Sequence, residues 1–190
     1  MTDISFDQVI RSRRTTRAYR VDPVPESVLQ ELVEIATLAP TGMNAQPWRF
    51  SIVTNRATLK GVSDAVKRIG LAMTPQVPEM ERLRPAFENQ DYEIFYGAPA
   101  LVVIQGDRRS PIASMDCLLA AENLILAAHA RNLGTCFMGF IMLAKDNEGI
   151  RRALSTEEGY DIIAPIIVGY SDAIPQTPPD RRPPEIAWVR

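Results

Sequence analysis

Apolar positions along the chain alternate between helical and strand spacing without a strict βα repeat. Ser5-Phe6-Asp7-Gln8 reads as a capping box, Ser-x-x-Gln, opening a short helix whose buried stripe would be Phe6, Val9 and Ile10. Pro23-Val24-Pro25 marks a turn. Val28, Leu29, Leu32, Val33 and Ala36 recur at helical spacing from Glu26 to Ala39, with Pro40 as the stop. Phe50 to Val53 suits a short strand, and Leu59, Val62, Val66 and Ile69 suit another amphipathic helix. Residues 71–91, with Pro75, Pro78 and Pro85 among charges, read as irregular chain or a short helical flap. Ala98 to Gln105 carries Leu-Val-Val-Ile, a buried strand.

Residues 112–132 are apolar or small on nearly every side, the mark of a helix buried all round; in a small chain that suggests a subunit interface as well as a core. Gly134 is read as its C-terminal stop. A helix over Lys145–Leu154 and a strand over Ile162–Val168 follow. The tail holds Pro175, Pro178, Pro179, Pro183 and Pro184, so it favours extended chain. Its end, Ile186-Ala187-Trp188-Val189, is too apolar for free solution and should wrap onto its own core or a partner. The irregular order of elements predicts an α+β fold, helices on a mixed, mainly antiparallel sheet.

A chain of 190 residues is expected to be one domain spanning 1–190. Its net charge of −2 argues against general nucleic-acid binding. Cys117 and Cys136 lack metal-ligand spacing and read as buried, reduced thiols of a cytoplasmic protein. Neither a signal peptide nor a membrane span is expected, since Glu122-Asn123 and Pro165 break the longest apolar runs.

Against this acidic background one segment is strongly basic: Arg11-Ser12-Arg13-Arg14-Thr15-Thr16-Arg17-Ala18-Tyr19-Arg20. Guanidinium groups grip phosphate through charge-assisted hydrogen bonds worth about 1.5–3 kcal/mol each. Arg13, Arg14 and Arg17 with Thr15 are the candidates, while Arg11 and Arg20 suit solvent. The same charges would also suit a solvated helix end. Thirty residues on, Pro40-Thr41-Gly42-Met43-Asn44-Ala45-Gln46-Pro47-Trp48 offers a glycine-loosened loop with amide side chains, as a flat heterocycle with polar edges requires. An ordinary helix-to-strand loop anchored by Trp48 fits it too. No P-loop or Gly-x-Gly-x-x-Gly is present, which speaks against a Rossmann domain. His129, the single histidine, reads as a packed helix residue.

Taken together, these segments resemble the FMN-dependent nitroreductase family. The family pattern Arg-Arg-Ser-x-Arg-x-aromatic stands here as Arg13-Arg14-Thr15-Thr16-Arg17-Ala18-Tyr19, and Ala-Pro-Ser-x-x-Asn-x-Gln-Pro-Trp as Ala39 through Trp48. Gly97-Ala98-Pro99, the helix through Ala121-Glu122-Asn123-Leu124, Phe137-Met138-Gly139-Phe140 and Pro165 to Tyr170 are similar to the family as well. Thr15 and Thr41 replace serines and keep the hydroxyl.

The resemblance implies an intertwined homodimer with C-terminal tail exchange and FMN at the subunit interface. It implies that Arg13, Arg14, Thr15 and Arg17 surround phosphate and ribityl chain. Pro40, Thr41, Gly42, Met43 and Asn44 would reach the ring from the other subunit, with Gln46 in the same motif. Phe137, Met138 and Gly139 would lie near the flavin, and Arg181 or Arg182 near the phosphate. It implies a ping-pong NAD(P)H oxidoreductase acting on nitroaromatics, quinones or related small oxidised compounds, with NADH or NADPH as transient reductant and no catalytic acid or base named. The flap at 70–91 names no substrate. Rival readings are same-fold chemistry (reductive dehalogenation, flavin fragmentation, ring oxidation) and a regulatory, nucleic-acid-binding use of the arginines.

Overall fold

A computed structural model describes residues 5–74, 77–172 and 177–190. Pro75 and Pro175 lie outside them. Four strands form one sheet in the order β1-β2-β4-β3: β1 (Trp48–Val53), β2 (Ala100–Asp107), β3 (Leu133–Phe137) and β4 (Tyr160–Tyr170). Every pairing between them is antiparallel. The expected mixed character reduces to one parallel bridge, Thr15 to Thr135, made by the chain before the first strand.

The sheet is covered on both faces, and the two-residue period of the strands sorts its side chains. On β2, Leu101 and Val103 join a core with Leu59, Val62 and Val66 of α3 (Arg56–Met73) and with Ile150 of α7 (Glu148–Ala153). Val102 and Ile104 face the other way. They pack on Leu29, Leu32 and Ala36 of α2 (Glu26–Ala36) and on Cys117, Ala120 and Leu124 of α5 (Ala113–Ala130). Gly106 lets α5 approach closely, since a Cβ there would meet Ala113 Cβ at 3.1 Å.

Local chemistry sets the helix ends. The Ser5–Gln8 capping box opens α1 (Phe6–Ser12) in both directions. Asn55 caps α3 and Asn147 caps α7 through their side-chain oxygens. At the end of α5 the stop is Asn132, with φ of 59°, rather than Gly134. Gly134 is instead a residue of strand β3, which the sequence reading did not foresee. The region 71–91 completes α3, then makes a 3-10 turn (Pro78–Leu83) and α4 (Arg84–Glu88). A short α6 (Gly139–Met142) follows β3.

Two expectations of burial change within one chain. Of the first helix's apolar stripe only Val9 is buried; Phe6 and Ile10 are 72% and 49% exposed. On α5, Met115, Leu118 and Leu119 are 65%, 49% and 49% exposed, so the helix is covered by the sheet, by α2 and by the end of α1 and keeps one apolar face open. Residues 177–190 form no helix or strand and do not fold onto their own core, and Trp188 is 79% exposed. Among the described residues no helix is long and apolar enough to cross a membrane. Cys117 and Cys136 are free and buried, as expected.

Candidate functional site

The basic segment is pinned to the open edge of the sheet. Thr16 N–H donates to Thr135 O (2.9 Å), Arg20 N–H to Tyr170 O (2.9 Å) and Asp172 N–H to Ala18 O (3.0 Å). Thr16 is buried, while Arg17 and Ala18 face out. Gly134 makes room for this arrangement: a Cβ there would stand 2.6 Å from Thr16 Oγ1.

Beside this segment opens a cleft of about 720 Å³, lined by Arg13, Arg14, Thr15 and Arg17, with Arg181 and neighbouring tail residues opposite. Among the described residues no carboxylate lines it. Arg11 at its rim is paired with Asp7 at 2.7 Å, and Arg20 nearby with Asp22 at 2.8 Å; both are exposed pairs. By contrast Arg13, Arg14, Arg17 and Arg181 have no carboxylate partner among the described residues. Arg14 Nη1 donates to the carbonyls of Arg11 (2.7 Å) and Arg13 (2.8 Å), while its buried Nε has no acceptor among the described residues. Gathering like charges without counter-charge is unfavourable, so the cleft is matched to an anion with several acceptor oxygens. Of the two tail arginines, Arg181 lines the cleft and Arg182 does not.

The amide-bearing loop stands elsewhere. Gly42–Asn44 is a single 3-10 turn, and Met43, Asn44 and Gln46 all have positive φ, at 54°, 53° and 45°. Left-handed backbone costs a non-glycine residue roughly 1–2 kcal/mol. Three such residues within four positions are a concentration of strain of the kind found at functional sites. The strain is held by Ala45 N–H to Gly42 O (3.0 Å), Gln46 N–H to Thr41 Oγ1 (3.2 Å) and Gln46 Nε2 to Asn44 Oδ1 (3.2 Å). Pro40, Asn44 and Gln46 are exposed, and Met43 is fully so. The place of a Gly42 side chain is taken by Ile112 Cδ1, the flexible end of a side chain that would have to turn away to admit one.

Basic cleft and loop therefore lie at opposite ends of α5. Gly42 N–H meets Asp116 in its first turn, and Ser12 meets His129 in its last. At about 1.5 Å rise per residue those two positions are roughly 20 Å apart. None of residues 40–46 lines the basic cleft.

Phe137, Met138 and Gly139 follow the Thr135 bridge at the end of β3, and none of them lines the basic cleft. Met138 is buried, and its N–H is held by Pro165 O at 2.8 Å. Phe137 is 40% exposed, and nothing stands within 4 Å of where a Gly139 Cβ would be.

Other residues here escaped the sequence reading. Tyr92 and Tyr96 meet edge to face at 6.1 Å, with their hydroxyls 3.4 Å apart. Burial first, then its tyrosine neighbour, holds Tyr92 well above the usual phenol range, with Arg17 opposing. Burial raises the Cys136 thiol, and Arg17 again opposes. Lys67, 5% exposed, donates to the carbonyls of Asn89 (2.7 Å) and Tyr92 (2.8 Å). Nothing local marks it: it follows Val66 on a buried face of α3 that holds a second polar residue, Ser63. Among the described residues no group of three or more His, Cys, Asp or Glu could hold a metal.

The model of the nitroreductase family matches residues 10–170. The chain belongs to the nitroreductase family. It is an oxidoreductase. It is 26% identical to 4-nitrobenzoate reductase of Pseudomonas putida, covering 98% of this chain and 94% of that protein. It is 30% identical to NADH dehydrogenase of Thermus thermophilus, covering 83% and 82%. Its fold matches a nitroreductase with bound FMN from Bacteroides fragilis (TM-score 0.84, 24% identity, all of both chains). A nitroreductase with bound FMN from Desulfitobacterium hafniense gives 0.80 at 25% identity, over 96% and 97% of the chains. Iodotyrosine deiodinase, bound to FMN and 3-iodo-L-tyrosine, shares the fold (0.74, 23% identity, 98% of each chain).

Proposed function

We propose that this nitroreductase-family chain is a single-domain, homodimeric, FMN-dependent NAD(P)H oxidoreductase. Its substrates would be nitroaromatics, quinones or related small oxidised compounds, reduced in the cytoplasm. The observation that carries the reading is the arginine cleft, lined by no carboxylate of the described residues, supported by FMN in a family structure of 25% identity. Arg13, Arg14, Thr15, Arg17 and Arg181 would hold the phosphate and ribityl chain. The buried, acceptor-less Arg14 Nε and the uncompensated guanidiniums fit that donor set. Phe137, Met138 and Gly139 would border the ring, the last two through main-chain atoms.

The second half of the site would come from another copy of the chain. Two copies packed about a two-fold axis, with their α5 helices antiparallel, would bury Met115, Leu118 and Leu119. Such packing would carry each chain's Pro40–Gln46 loop to the arginine end of its partner. Thr41, Gly42, Met43, Asn44 and Gln46 would then line the ring side of the partner's cleft, and the apolar tail would find cover on the partner. FMN supplies the hydride-accepting and electron-donating centre when bound. The protein orients it, excludes water and offers one place that reductant and oxidant use in turn, which is a ping-pong scheme.

The test is the visible spectrum of the purified dimer. Oxidised-flavin bands, bleached by NADH or NADPH under anaerobic conditions and restored by a nitroaromatic or quinone, are expected. A protein that takes up no FMN, or holds FMN that neither nucleotide bleaches, would overturn the reading. The fold shared with iodotyrosine deiodinase gives a second reading, reductive dehalogenation, and halogenated phenols in the same assay distinguish it.

A further inference from the structure

Asp116 is a carboxylate in the interior, 4% exposed, in the first turn of α5. Its Oδ1 accepts the Gly42 N–H at 3.3 Å. Its Oδ2 is buried and meets no donor among the described residues. A buried acceptor left half-satisfied is unfavourable, so the residue is not explained by packing alone. The positive end of the α5 macrodipole makes this position the most tolerant one for a carboxylate. What the carboxylate does there is hold a loop. The loop's other side-chain hydrogen bonds, Thr41 to Gln46 and Asn44 to Gln46, lie within the loop itself. Among the described residues, Asp116 is the side chain whose hydrogen bond ties it to the body of the fold.

We propose that Asp116 is a positioning residue of the cofactor site. It anchors Gly42 so that the left-handed run Met43, Asn44 and Gln46 keeps its amides presented outward. Ile112, one turn before Asp116, closes the other side of Gly42 by occupying the place of a side chain. Together they make a socket in α5 for one backbone unit of the loop. Because the loop serves the site from the far end of α5, Asp116 would act on FMN without touching it. This step rests on the FMN reading of the preceding section.

The experiment has one arm that needs no cofactor. Hydrogen exchange is followed by mass spectrometry on peptides covering 38–47 and 133–142 in ligand-free wild type, Asp116→Ala and Asp116→Asn. Asp116→Ala should speed exchange at least tenfold in the first peptide and leave the second unchanged. Asp116→Asn, which keeps an acceptor for Gly42, should restore most of the protection. In the second arm, FMN affinity by fluorescence titration should fall at least tenfold in Asp116→Ala and stay within about threefold in Asp116→Asn. Unchanged exchange in a folded Asp116→Ala protein would overturn the anchor. Faster exchange with unchanged FMN affinity would overturn its role toward the cofactor. Were Asp116→Ala unfolded, an Asp116→Asn protein that loses loop protection would refute the proposal by itself. Wild type that binds no FMN would instead refute the cofactor reading and leave the exchange arm standing.

Discussion

Ser12 Oγ and His129 Nε2 stand 2.7 Å apart, joining the end of α1 to the last turn of α5. The contact fixes where the arginine segment leaves the helix. It also gives the fold a pH response. His129 is held below the ordinary histidine value of 6.5, by burial first and then by the charges of Arg13 and Arg14. The folded chain thus takes up this proton less readily than the unfolded chain. Its stability is fully present above the ordinary histidine range and declines as the pH drops through and below it. Thermal melts at about pH 7.5 and about pH 5.5 should show a smaller loss for His129→Gln than for wild type.

Arg181 faces the basic cleft and Arg182 does not. A charge-assisted hydrogen bond to phosphate is worth about 1.5–3 kcal/mol, about 10- to 150-fold in affinity. Arg181→Ala should weaken FMN binding within that range, as should Arg13→Ala and Arg17→Ala. Arg182→Ala should change it less than about threefold. Flavin-fluorescence titration reads all four, and equal losses at 181 and 182 would refute the assignment.

Gly134 faces Thr16 across the edge of the sheet. A methyl there would lie 2.6–2.7 Å from three Thr16 side-chain atoms, so Gly134→Ala must push the arginine segment away or strain β3. Overpacking of this kind costs about 1–3 kcal/mol. Gly139→Ala meets nothing within 4 Å and should leave the melting temperature unchanged. The comparison is made by thermal melts of the two variants side by side.

Lys67 joins α3 to the chain just before the tyrosine pair. Removing it in Lys67→Met leaves two part-buried carbonyls, Asn89 O and Tyr92 O, without their donor. A loss of about 2–4 kcal/mol is expected from charge-assisted bonds of this kind. Limited proteolysis should cut within 84–96 first, and urea unfolding measures the loss.

Much of the fold could be read from residue spacing, because each helix with a clear apolar stripe or cap declared itself. The Ser5–Gln8 box and the α2 stripe are such cases. Strand β3 could not be read, since Leu133-Gly134-Thr135-Cys136 shows no alternation and its glycine mimics a helix stop. The glycine is there for a neighbour 118 positions earlier, Thr16, which local pattern cannot reveal. The arginine side of the site was legible as a cluster of one residue type. Asp116, Lys67 and the tyrosine pair were not, because their meaning depends on what the fold places against them.

The length of α5 has a genetic consequence. If each pocket is assembled from the front of one helix and the rear of its twin, lesions in the two halves segregate. Co-expressing Arg13→Ala with an Asn44→Ala chain would yield hybrids in which one pocket inherits both defects and the other neither. Two strains that are each inactive would then regain turnover when crossed.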